Sequence, residues 1–64
     1  MTEQDANIDP VWLDTPTASR YLSLSESLLE KYRARGEGPP FVRLGRAVRY
    51  RREQLDQWMA SQEV

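Results

Sequence analysis

Apolar positions recur along this chain in short, interrupted sets, and the spacing within each set predicts an element. Ala18, Tyr21 and Leu22 stand at i, i+3, i+4, one face of a helix over about residues 16–22. Thr15 is placed to cap that helix. Pro16 suits its first position, where a missing N–H has no intrahelical partner to lose. Leu28, Leu29 and Tyr32 stripe a second helix over about 26–35, with Ser25 as its cap and Gly36 ending it in the left-handed conformation. Between them, Ser23 takes the turn position that asks for a positive φ, at some steric cost, and Leu24 plugs the gap between the helices. After the stiff connector Gly36-Glu37-Gly38-Pro39-Pro40, residues 41–44 and 48–50 read as two short strands around Gly45-Arg46-Ala47. A two-residue loop would mix Arg49 with Val42 and Leu44 on one face. A three-residue loop pairs Leu44 with Val48 and Val42 with Tyr50, turning four apolar side chains inward and Arg43 and Arg49 outward. A slip of one residue flips every side chain, so the second register is expected. Leu55, Trp58 and Met59 then close the core from a third helix over about 52–62, with Glu53 in its first turn to suit the dipole. Trp12 is expected as a half-buried clasp, Leu13 under the first helix, and Tyr32, Tyr50 and Trp58 in the core.

The order is therefore helix-helix-strand-strand-helix: mainly α with a small β-hairpin. Two helices of two or three turns joined by so few residues cannot lie antiparallel. They cross steeply, which is helix-turn-helix geometry. At 64 residues there is one domain, expected over 12–62 behind a disordered acidic segment at 1–11. A chain of this size buries only about 60% of its unfolded surface, which leaves room for a binding face and little for a catalytic cavity. The absence of cysteine and histidine removes thiolate zinc sites, disulfides and the usual general base. No enzyme activity, cofactor or metal is expected. No apolar run is long enough to span a membrane, and the N-terminus does not read as a signal peptide, so the expected location is the cytoplasm, at the nucleoid.

A net charge of −1 hides an uneven distribution. Residues 1–19 carry four carboxylates and no base, whereas residues 20–52 carry all nine bases against three carboxylates. A basic middle between acidic ends is what a polyanion feels, because fields are screened over about 8–10 Å.

Read as a whole, Leu13-x-Thr15, Ala18, Tyr21-Leu22-Ser23-Leu24-Ser25 and Leu29 lead into the run from Gly36-x-Gly38-Pro39-Pro40 to Phe41-Val42-Arg43-Leu44-Gly45-Arg46. Val48-Arg49-Tyr50 and Leu55-Asp56-x-Trp58 follow. This pattern, across residues 13–59, resembles the small winged helix-turn-helix proteins of the excisionase and AlpA-like group, relatives of the MerR DNA-binding domain. Ser23 stands where that group usually has a turn glycine, Ser19 where it has a second alanine, and Glu26 and Glu30 are unusual on the recognition face. The resemblance implies a winged helix-turn-helix that binds double-stranded DNA. Such proteins direct recombination beside the integrase of a mobile element, or act as small transcriptional regulators.

On that reading the second helix enters the major groove, presenting Ser25, Glu26, Ser27, Glu30 and Lys31. Serine pairs with several base edges, glutamate accepts from cytosine N4, and lysine donates to guanine O6 or N7. Glu26 also suits the helix dipole and Glu30 reads equally as a solvated charge; four apart, they repel by about 0.2–0.5 kcal/mol. Arg20, Arg33 and Arg35 are phosphate candidates, Arg33 and Arg35 alternatively answering the dipole end. Arg43 and Arg46 bring the hairpin to the minor groove or the backbone. Arg49 and Arg51 are expected to pair with acids on the third helix. So small a domain implies self-association on adjacent sites. The alternative is a helix-turn-helix turned to protein binding, an antiactivator gripping a larger regulator.

Overall fold

The computed structural model describes residues 11–63. The elements run β1 (Trp12–Leu13), α1 (Thr15–Leu22), α2 (Glu26–Arg35), β2 (Val42–Leu44), β3 (Ala47–Arg51) and α3 (Arg52–Ser61). The expected order is present, with one short strand ahead of it. Residues 1–10, where most of the acidic segment falls, lie outside the described residues. Val11 is tied to the domain, its carbonyl accepting from the Arg52 N–H at 2.8 Å.

The cap of α1 is Asp14 and not Thr15. The Asp14 carboxylate accepts from the Thr17 N–H at 3.0 Å, which puts Thr15 and Pro16 inside the first turn. Both helices of the pair end in left-handed caps closed by two backbone bonds. Ser23 (φ 60°) donates to the Arg20 carbonyl while Leu24 donates to that of Ser19. Gly36 (φ 70°) and Glu37 do the same with Arg33 and Tyr32. These paired bonds satisfy carbonyls that would otherwise be orphaned at the helix ends, so the chain stops and turns at those points. Ser25 caps α2 as its type predicts, its Oγ accepting from the Leu28 N–H at 3.1 Å.

The core is one cluster: Leu13, Ala18, Leu22, Leu29, Val48, Tyr50 and Leu55, with Leu24, Tyr32, Phe41 and Trp58 packed against it. Tyr32 and Trp58 meet edge-to-face with centroids 5.7 Å apart, joining α2 to α3. Two expected core members are outside it. Tyr21 is exposed and its hydroxyl donates to Asp56 Oδ1 at 2.6 Å, a polar clamp from α1 to α3. Ser19 is buried instead, its hydroxyl donating back to the Pro16 carbonyl at 2.8 Å. Met59 is also exposed, because α3 turns Leu55 and Trp58 inward and no further element covers its other flank.

The sheet has the order β1-β3-β2 and is antiparallel throughout. Its hairpin register corrects the expected one: Leu44 pairs with Ala47, Arg43 with Val48 and Val42 with Arg49, around a two-residue Gly45-Arg46 loop. Turn chemistry outranks the count of apolar side chains. Gly45 holds φ +61° at the first central position and Arg46 does not, the pattern of a type II′ turn, which wants glycine first. The three-residue alternative wants its left-handed residue last, where Ala47 stands. Val42 and Leu44 therefore lie on the outer face with Arg49, while Arg43 shares the inner-facing side with Val48. β1 joins the opposite edge of β3, pairing Trp12 with Arg51 and Leu13 with Tyr50. That strand is what buries Leu13 under the helices and leaves Trp12 outward.

Candidate nucleic-acid interface

Two features of α2 determine its use. Its inner stripe is short, so Leu29 alone is fully buried, and most of its surface is polar. Its first turn carries Ser25, Glu26 and Ser27 exposed, with Glu30 and Lys31 one turn further on, also exposed. Ser25 Oγ already accepts the capping bond, so it fixes the helix end as well as facing outward. The N-terminal half of α2 thus offers a side-chain hydroxyl, two carboxylates and an ammonium on a rigid element.

The cations divide into three kinds. Lys31, Arg35, Arg43 and Arg46 are exposed and form no ion pair among the described residues. Arg43 lies with its guanidinium 5.7 Å from the centroid of the Phe41 ring, and Arg46 sits in the hairpin turn. Arg20 is exposed on α1, with a long 3.4 Å contact to the Thr17 hydroxyl. Arg33 is different. Its Nη1 donates to the Tyr50 hydroxyl at 2.6 Å and to Thr15 Oγ1 at 3.2 Å, and its guanidinium lies 5.8 and 6.0 Å from the Phe41 and Tyr50 rings. One side chain of α2 is thereby fastened to α1 and to β3. The signal was present in the spacing, because Leu29, Tyr32 and Arg33 stand at i, i+3, i+4, which places the arginine on the inward face.

On β3, Arg51 does pair with Glu53 of α3, at 3.8 Å between exposed side chains. Arg49 does not reach that helix; its Nη1 donates to the Val48 carbonyl at 2.8 Å. The carboxyl of Asp14 is held below its ordinary 3.8 first by a hydrogen bond with the Thr17 side chain, then by the Thr17 N–H, with smaller help from Arg49 and Arg20. Among the described residues no helix is long and apolar enough to cross a membrane.

A helix pair joined by a left-handed turn, backed by a third helix and flanked by a β-hairpin, defines a winged helix-turn-helix domain. A helix-turn-helix domain family matches residues 12–63, nearly the whole chain. The chain belongs to that family, which is one of DNA-binding domains. No curated protein matches it.

Proposed function

We propose that this domain binds double-stranded DNA with sequence preference and serves as an excisionase-type directionality factor or a small transcriptional regulator of a mobile element. The observation that supports the reading most is the set of exposed cations on both α2 and the hairpin, without an ion pair among the described residues, in an otherwise acidic chain. In this reading α2 enters the major groove. Ser27, Glu26, Glu30 and Lys31 face base edges there, and Ser25 brings the helix N-terminus to a phosphate. Arg46 at the hairpin turn reads a narrow minor groove, Arg43 and Arg20 contact the backbone, and Arg33 acts by fixing the angle between α2 and the sheet. One domain covers little DNA, so useful affinity comes from copies on adjacent sites or from an integrase or larger regulator beside it.

Fluorescence anisotropy across attachment-site and promoter duplexes tests this at several salt concentrations. Arg46→Ala is expected to lower the slope of log K against log salt by about 1 and to weaken duplexes with a narrow, A·T-rich minor groove most. Lys31→Ala is expected to cost about 1–3 kcal/mol at one base position and little elsewhere. Binding that is blind to sequence, or a Lys31→Ala effect equal on every duplex, overturns the specific reading. No binding to any duplex, with biological activity intact in both variants, selects the protein-binding alternative.

A further inference from the structure

The fold uses one face of its sheet. Val48 and Tyr50 turn toward the helices, while Trp12, Val42, Leu44, Ala47, Arg49 and Arg51 form the opposite side. There Trp12 is 47% exposed, Val42 41% and Leu44 68%, and with Arg49 they line a groove of about 190 Å³. Three large apolar side chains gathered from the two strands that flank β3 are a concentration that a protein surface seldom leaves uncovered.

The charge at this groove is of one sign. Arg49 forms part of its wall, and the Arg51 guanidinium lies 5.1 Å from the centroid of the Trp12 ring. Among the described residues both are only partly answered, Arg49 by a minor influence on the Asp14 carboxylate and Arg51 by an exposed ion pair. Arg49 donates to the carbonyl of its own neighbour, the Arg51–Glu53 pair is 3.8 Å, and Arg51 Nε has no acceptor among the described residues. We infer that this face docks an acidic-apolar segment of a partner protein, which lays one large apolar side chain between Trp12, Val42 and Leu44 and sets carboxylates against Arg49 and Arg51.

Three other occupants fit less well. A phosphate backbone would answer the cations and leave the apolar walls wet. A second copy applied by two-fold symmetry would bring the arginines of both grooves into one interface with no added carboxylate from either groove lining. A bilayer is flat, whereas this surface is concave and takes a single side chain. An acidic segment satisfies both the shape and the sign, and truncating either half of the recognition should be felt separately.

The test uses the full chain and a random peptide phage library, with the Leu44→Asp chain as counter-selection. Selected peptides are expected to combine carboxylates with an aromatic or branched aliphatic residue. Titrated into ¹⁵N-labelled protein, they should shift the Trp12 indole and the amides of Val42, Leu44 and Arg49. Leu44→Asp should weaken them at least tenfold, and Arg49→Glu should turn the selected composition from acidic to basic. Both positions are exposed, so both variants should keep the parent circular dichroism spectrum and melt cooperatively. The proposal is overturned by selection of peptides without acidic bias or by shifts that map elsewhere. It is equally overturned by a dimer in sedimentation equilibrium that Leu44→Asp abolishes, or by co-sedimentation with phosphatidylserine-containing vesicles in place of peptide binding. None of these readouts depends on DNA.

Discussion

The bridge made by Arg33 can be broken from either end, and the two cuts should not add. Its Nη1 is 2.6 Å from the Tyr50 hydroxyl and 3.2 Å from Thr15 Oγ1, and Tyr50 is only 1% exposed. Arg33→Met keeps most of the stem and removes the donors. It leaves the Tyr50 hydroxyl unsatisfied in the core, a cost of about 1–3 kcal/mol, and forfeits charge-assisted bonds of comparable size. With the lost ring contacts, a net loss of about 2–3 kcal/mol is expected. That is a large share of the roughly 3–5 kcal/mol available to so small a core. Tyr50→Phe removes the same bond from the other side and should cost about 1–2 kcal/mol, since the ring still fills its place. In the double variant the missing hydroxyl no longer needs a partner, so the coupling should be about 1–2 kcal/mol. Urea unfolding of all four proteins, with trimethylamine N-oxide in every sample to preserve native baselines, measures it. Additivity within about 0.5 kcal/mol would refute the bridge. A second arm separates this role from a phosphate contact: Arg33→Met should weaken DNA binding without changing its salt slope, whereas loss of a phosphate contact lowers that slope by about 1.

Backbone and cap positions supply further tests. Ser23 holds φ 60° with a side chain, so Ser23→Gly should stabilise the domain by about 1 kcal/mol in urea unfolding; a loss would show that the hydroxyl contributes more than the strain costs. Gly36 and Gly38 both have positive φ, but a Cβ at Gly36 meets open space while one at Gly38 falls 2.7 Å from Tyr32 Cβ. Gly36→Ala should therefore cost about 1 kcal/mol and Gly38→Ala about 1–3 kcal/mol more; equal losses would mean that conformation alone decides. The Asp14 carboxyl is held below its ordinary 3.8, so its contribution is present above that value and is lost as pH falls through the depressed one. Asp14→Ala should lower Tm at neutral pH and flatten the fall in Tm below about pH 4; an unchanged acid limb would place that fall on other carboxyls.

Residues 15–36 were legible because their signals are local. Ala18, Leu22 and Leu29 stand on stripes that a short window shows, and Ser25 and Gly36 mark helix ends by side-chain type, although the first cap is Asp14 and Tyr21 leaves its stripe for Asp56. The left-handed φ at Ser23 falls at the turn position where such motifs ask for a positive φ. The basic middle that supports the DNA reading is likewise a property of order along the chain.

What only the tertiary structure decided was which side of an element meets a neighbour. The strand at Trp12–Leu13 is two residues long and exists because β3 offers it an edge, so no periodicity could announce it. Its arrival gives Val42 and Leu44 an apolar companion on the outer face, and the register then follows the glycine of the turn. Arg33 shares the inward stripe of α2 with Leu29 and Tyr32, but the spacing does not say what it meets there. Its partners are the hydroxyls of Tyr50 and Thr15, 17 and 18 residues away in sequence, which only the fold brings within its reach. Charge and period are written residue by residue, whereas burial is settled jointly by elements that meet only after the chain has folded.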